Sequence, residues 1–175
     1  MPKLKNTMIP AVLGLLIFSP VSLAAVFDVN DINACMNAAY RIQKRSGFIK
    51  LEQLQFKDHV VYEIEVQDPK GNNWELSCLA DTGSIYQVAR EVDKSDPSFT
   101  DTARISEKDA YAKARAWFPG DVGETEYEVR DQGPPLYEFD VVNRYGQTTR
   151  IEINAVTGEI VEAFVENWEI RWVWD

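Results

Sequence analysis

An internal repeat constrains the fold of this chain more than any other feature. Segments 62–91 and 137–166 align without a gap at a constant offset of 75 residues. Repeats of this kind are read first, because each copy normally forms one structural unit. The identical pairs are Tyr62/Tyr137, Glu63/Glu138, Val66/Val141, Gly71/Gly146, Ala80/Ala155, Thr82/Thr157, Gly83/Gly158, Ile85/Ile160 and Glu91/Glu166.

Each copy is preceded by a helical pattern and consists of alternating strands. Residues 28–47 carry apolar side chains at helical spacing, and a second such segment begins at Ile105. In the strand at 62–67, apolar residues alternate with Glu63 and Glu65, which predicts a sheet with one covered face and one solvated face. We therefore expect an α+β fold of two tandem repeats, each with one helix packed on a small antiparallel β-sheet.

The remaining segments give the domain boundaries. Residues 1–24 have the layout of a secretory signal peptide, with Lys3 and Lys5 before an apolar run and a predicted cut after Ala24. We expect repeat 1 at 25–92, a linker at 93–104, repeat 2 at 105–166 and a Trp-rich C-terminal strand at 167–175. The leader predicts a periplasmic or secreted protein without stable membrane insertion after cleavage.

The net charge argues against polyanionic partners. The formal charge is −10, and removing the two leader lysines makes the mature chain more acidic still. Such a surface repels nucleic acid and anionic membranes. This surface would suit a cationic partner, but a high net charge is also a common way for a protein to stay soluble.

Two cysteines, Cys35 and Cys78, fall at apolar positions of the repeat. Their counterparts in the second copy are Ala110 and Ile153, so one core should receive both thiols, from the helix and from the sheet. An exported chain allows them to form a disulfide. The alternative is a pair of small buried thiols.

Residues suited to catalysis or metal binding are sparse. His59 is the only histidine and lies in a predicted turn, too isolated for a triad or a zinc site. Segment 68–73 resembles a calcium loop but lacks the closing Glu, so we interpret it as a hairpin turn. Carboxylates that alternate with core residues are expected on solvated strand faces: Glu63, Glu65, Glu138 and Asp140. We predict no catalytic residue, no cofactor and no metal, and therefore no enzyme.

The tail places Trp168, Trp172 and Trp174 on one face of a strand. One interpretation is that the strand extends the last strand of the second copy and packs its indoles over the second helix or the seam between the copies. The other is an exposed aromatic edge that binds a partner, since Trp is enriched in binding hot spots. Both interpretations stay open at this point.

The second copy resembles the PepSY domain family. The resemblance rests on segments 137–141 and 151–161, on Gly146 and on the Pro119-Gly120 pair after the helix. The first copy departs from the pattern, with Arg45-Ser46-Gly47 in place of Pro-Gly. The resemblance implies one helix on a small antiparallel sheet, an association with propeptides of secreted metallopeptidases, and no catalytic residues.

Two functional hypotheses follow from this resemblance and the leader. The first is an exported, non-catalytic protein-binding module that modulates or inhibits a secreted or envelope peptidase in trans. The second is a structural or regulatory cell-envelope protein with a sensing or assembly role. An enzyme is disfavoured, because it would need a deep pocket with convergent polar groups.

Overall fold

The computed structural model describes residues 28–172, so the predicted signal peptide lies outside the described residues. The elements in chain order are α1 (Val29–Ile42), β1 (Gly47–Phe56), β2 (His59–Gln67), β3 (Asn73–Leu79), β4 (Ser84–Glu91), α2 (Pro97–Thr100), α3 (Glu107–Trp117), β5 (Asp121–Arg130), β6 (Leu136–Val142), β7 (Thr148–Asn154) and β8 (Ile160–Arg171). In this part of the chain, no helix is long and apolar enough to span a membrane.

The eight strands form one closed antiparallel barrel in the order β1 to β8. The predicted fold class, two tandem repeats of one helix on a small sheet, is therefore wrong. Strands β4 and β5 join through the pairs from Ala89 with Arg130 to Glu91 with Glu128. Strands β1 and β8 join through the pairs from Lys50 with Arg171 to Gln55 with Val165. Closure pairs backbone groups that two separate sheets would leave unpaired at their edges.

The long last strand makes this closure possible. Strand β8 has 12 residues, whereas its neighbour β7 has 7. Its first part pairs with β7 and its second part pairs with β1. The predicted C-terminal strand at 167–175 is thus, as far as it is described, the end of β8.

The helices cover the outer face of the barrel. Helix α1 packs Ile32, Cys35 and Ala39 against the apolar residues of β1–β3, such as Ile64 and Leu76. Helix α3 covers the second core in the same way. The apolar residues of that core include Ala110, Ala114, Tyr137, Phe139, Ile151 and Ile153. Each apolar strand face therefore points outward to a helix, and the opposite face points into the barrel.

The predicted disulfide is present. Cys35 of α1 bonds to Cys78 of β3, with the two Cα atoms 5.8 Å apart. Both residues are fully buried. The bond ties α1 to the sheet at the centre of the first core.

The segment predicted as a linker contains α2 and contributes to the second core. Asp96 caps α2 by accepting a hydrogen bond from the Ser98 amide. Phe99 is 2% exposed and packs edge-on against Tyr127 and Tyr137. The linker residues therefore join the second core.

A small apolar cluster lies on the inward face of the barrel. Leu54, Val61 and Phe164 are buried there, and Phe56 and Leu79 pack against them. Leu54 and Val61 are directly paired across β1 and β2, so they share a face. This cluster fills one part of the interior, and charged residues fill another.

Candidate functional site

The barrel interior is charged, contrary to the sequence prediction. Glu63, Glu65 and Glu138, expected on solvated faces, are 1%, 7% and 2% exposed. The Asp140 side chain is 14% exposed. The alternation that suggested a wet face was real, but closure turns that face into the interior. Burial of these carboxylates makes the interior the candidate functional site.

Arg150 lies at the centre of this interior and was not singled out from the sequence. Its guanidinium contacts Glu52 at 2.7 Å, Glu138 at 2.8 Å and Asp140 at 3.2 Å, and it also pairs with Glu63. Glu52 and Glu63 belong to β1 and β2, which are not neighbours of β7 and β6 in the sheet. Arg150 thus spans the interior and pairs carboxylates from both halves of the barrel.

Lys50 is the second buried cation. Its ammonium lies 3.2 Å from Glu52 and 3.9 Å from both Glu65 and Glu126. Burial acts to lower the pKa of Lys50, but the surrounding carboxylates outweigh it and raise the pKa above its ordinary value. Lys50 therefore stays charged inside the barrel.

Two of these carboxylates, Glu126 and Glu138, form a compact group with Glu75 and Glu128, which we call the acidic cluster. One oxygen of each lies within 4.8 Å of the others. They come from β3, β5 and β6, and Glu126 stands directly opposite Glu138. Strand β4, between β3 and β5, contributes the small residue Ala89 opposite Glu75. A longer inward side chain there would occupy the space between the strands.

The environment of the acidic cluster opposes ionisation. Burial, and then the neighbouring carboxylates, raise the pKa of Glu75 and Glu138 well above the ordinary value, and burial also raises the pKa of Glu126 and Glu128. Among the described residues, both oxygens of Glu128, Oε1 of Glu75 and Oε2 of Glu138 lack a hydrogen-bond donor when the carboxylates are ionised, and a proton on Glu75 would give Glu128 one. Such groups are costly unless a proton or a cation compensates them.

The interior continues towards Glu152. Gln87 donates to a Glu152 carboxylate oxygen at 3.4 Å, and Arg130 donates to Gln87 at 3.2 Å. Burial, and next the Glu128 charge, raise the pKa of Glu152 to about 8. Within residues 28–172, the buried charged side chains are Lys50, Arg150, Glu52, Glu63, Glu65, Glu75, Glu128, Glu138 and Glu152. Acidic groups therefore outnumber basic ones in the interior.

The other residues considered from the sequence lie away from the interior. His59 is exposed at the start of β2. Asp68 accepts hydrogen bonds from the amides of Lys70 and Asn72, at 2.8 and 3.0 Å. This segment joins β2 to β3, as predicted for a hairpin turn.

The tail residues occupy different environments. Trp168 is partly buried, packs against the first core and lies 6.1 Å from the Tyr62 ring. Trp172 is 56% exposed, and its amide donates to the Ile49 carbonyl at 2.7 Å. Trp174 lies outside the described residues. A role of these three residues in partner binding stays a prediction.

Signals for the interior were present in the sequence but ambiguous. The inward Glu residues alternate with core residues, as they would on a solvated sheet. Arg150 occupies the position that Glu75 holds in the earlier copy, so the repeat places opposite charges at equivalent positions. The closed barrel explains this difference, because it brings Arg150 close to carboxylates of other strands.

Comparison with known proteins supports the family resemblance. Residues 104–164 match the family described as "Peptidase propeptide and YPEB domain", PepSY. The predicted resemblance is thus confirmed for residues 104–164, and the match does not extend to the first copy. No curated protein matches the chain. A solved protein from Clostridium difficile 630, described as a "putative lipoprotein", is 15% identical with a TM-score of 0.34, over 75% of this chain and 90% of that one.

Proposed function

Because residues 104–164 match the PepSY family, we propose that this chain is an exported, non-catalytic module that binds a protein and modulates a secreted or envelope peptidase. The family match is the observation that carries the proposal, since its description names peptidase propeptides. The chain would act in trans. The location is extracytoplasmic, in agreement with the leader expected at 1–24.

The end of β8 is the surface that we assign to the partner. Ile170 and Trp172 are 47% and 56% exposed there. Trp172 also lines an open groove with Phe48, Ile49 and Pro69. Aromatic side chains beside a groove supply the large contact areas that dominate binding energies. Because the barrel is closed, a partner would contact side chains here and would not add a strand to a free sheet edge.

A regulatory envelope role is the second candidate. The charged interior favours it, because docking to a peptidase would not by itself require buried carboxylates. In such a protein, binding of a small ion or a change in pH would alter the stability of the barrel. The altered stability would then change how the protein binds its partner. The two roles are compatible if the partner is a peptidase.

Inhibition assays test the first proposal. The mature chain, beginning at residue 25, would be added to purified secreted metallopeptidases and to serine peptidases as a comparison class. We expect slower hydrolysis by at least one metallopeptidase and weaker inhibition by Trp172→Ala. Tyr145→Ala is the matched control, because Tyr145 is also aromatic and is 78% exposed.

Point variants are preferable to truncation in this assay. Removing residues from 167 onward would delete the part of β8 that pairs with Lys50–Gln53 of β1, so lost inhibition could reflect an opened barrel. If folded chain inhibits none of the peptidases, the peptidase proposal is wrong. Equal loss in Trp172→Ala and Tyr145→Ala would refute the assigned surface.

A further inference from the structure

The acidic cluster has the composition and size of a site for a hard cation. Its four carboxylates offer only oxygen atoms, the donors that Ca²⁺, Mg²⁺ and Mn²⁺ prefer. Two Ca–O bonds of about 2.3–2.6 Å span roughly 4.6–5.2 Å, whereas two Mg–O bonds span only about 4.0–4.2 Å. The cluster oxygens lie within 4.8 Å of one another, and calcium can bridge oxygens up to that separation.

Unpartnered buried oxygens form a second observation. Glu128 is 1% exposed, and neither of its oxygens accepts a hydrogen bond from the described residues unless Glu75 carries a proton and donates it. Glu152 lies outside the cluster, is also 1% exposed, and has one oxygen without a partner. A carboxylate this deeply buried is normally paired or bound to a metal.

The two buried cations do not satisfy the cluster. Arg150 pairs with Glu138 through Oε1 and leaves Oε2 without a hydrogen-bond partner. Lys50 is 3.9 Å from Glu126, and no ion pair joins either cation to Glu75 or Glu128 among the described residues. The carboxyl groups of Glu75 and Glu128, on the side of the interior formed by β3 and β5, therefore have no paired cation among the described residues to compensate them when they ionise.

We propose that Glu75, Glu126, Glu128 and Glu138 bind one calcium ion inside the barrel. The ligands come from three strands on both sides of the β4–β5 seam, so the ion would link the two halves of the barrel. Glu126 is the least buried ligand, with a side chain 11% exposed, and marks the side from which the ion enters. This inference does not depend on the proposed peptidase partner.

Calcium titration of the purified mature chain, freed of metal with EDTA, tests the proposal. Isothermal titration calorimetry should give one Ca²⁺ per chain, with weaker binding of Mg²⁺. Thermal unfolding should shift upward with calcium concentration, because an ion that binds only the folded chain stabilises it. Glu128→Gln should weaken calcium binding by at least roughly tenfold, the lower end for loss of even an outer-shell partner.

The matched control is Glu124→Gln, which makes the same change on the same strand at a side chain 43% exposed. It should leave calcium affinity within about threefold of the parent. If Glu128→Gln does not fold, as judged by circular dichroism, Glu126→Gln replaces it, since Glu126 reaches solvent. Equal binding by parent and cluster variant would overturn the proposal and indicate a surface site. No calcium response in the parent would also overturn it and leave protons as the compensating charge.

Discussion

Replacement of Arg150 by Met tests whether the interior charge network holds the barrel together. Met keeps much of the side-chain length but removes the charge and every donor. Arg150 is 1% exposed and pairs with Glu52, Glu63, Glu138 and Asp140. The variant therefore leaves four carboxylates, from both halves of the barrel, without their shared cation.

The expected loss follows from the burial of the pairs. Removing one partner of a buried ion pair costs about 3–5 kcal/mol, because the remaining charge is desolvated and uncompensated. For a chain of this size, 1 kcal/mol shifts Tm by roughly 2–4 °C. Arg150→Met should thus lower Tm by roughly 6–20 °C. Protonation of the orphaned carboxylates would keep the loss towards the lower end.

Urea and thermal unfolding of the disulfide-bonded chain in EDTA measure this effect. Arg144→Met is the matched control, because the Arg144 side chain is exposed and lies against Tyr145. This control should change the free energy of unfolding by no more than about 0.5 kcal/mol. Adding Glu63→Gln to Arg150→Met should recover part of the loss. A free energy of unfolding for Arg150→Met within about 1 kcal/mol of the parent would refute the reasoning.

Three other perturbations probe separate parts of the structure. Cys35→Ser/Cys78→Ser opens a covalent link across 43 residues and should cost about 4 kcal/mol in urea unfolding by the chain-entropy relation; an unchanged midpoint would contradict a stabilising bond. Burial raises the pKa of Glu65 to about 7 although Lys50 opposes it, so the folded state binds this proton more tightly than the unfolded state does. In EDTA, stability from Glu65 should therefore fall as pH rises from about 4.5 through about 7, and Glu65→Gln should flatten the profile of urea midpoints over that window. Calorimetry should show a larger fall in Tm for Trp168→Ala than for Trp172→Ala, because Trp168 packs on the first core and Trp172 is half exposed; the reverse order would show that the end of β8 is core.

The local structure was predictable from the sequence because it depends on short-range patterns. Helical spacing over 28–47 gave the helix observed at Val29–Ile42. Alternation at Tyr62, Ile64 and Val66 gave a strand whose apolar face packs under that helix. The repeat placed Cys35 and Cys78 on one core, where the disulfide is found. In the first two cases neighbouring residues carry the information, and in the third the alignment of the two copies carries it.

Barrel closure was not predictable in the same way, because it depends on pairing between distant strands. Alternation shows that a strand has two different faces, but it does not say whether the polar face meets water or another polar face. Glu63 and Glu138 would show the same pattern in either case. The register of β8 against β1 brings Trp168 opposite Gln53, more than one hundred positions away in the chain, and no local signal specifies that pairing.

Closure of the barrel also depends on Lys50 and Arg150, the two basic residues buried among the inward carboxylates in the described part of the chain. Two sheets whose inner faces carry only carboxylates would repel each other as water is excluded, since charge interactions strengthen in a low-dielectric interior. Arg150 counters this by pairing with Glu52 and Glu63 of one half and with Glu138 and Asp140 of the other. A basic residue among the inward carboxylates therefore helps these faces to close on one another, and Glu75, at the equivalent position of the earlier copy, faces the same interior. The acidic cluster lies where this compensation stops, and this is the place at which we propose that a calcium ion binds.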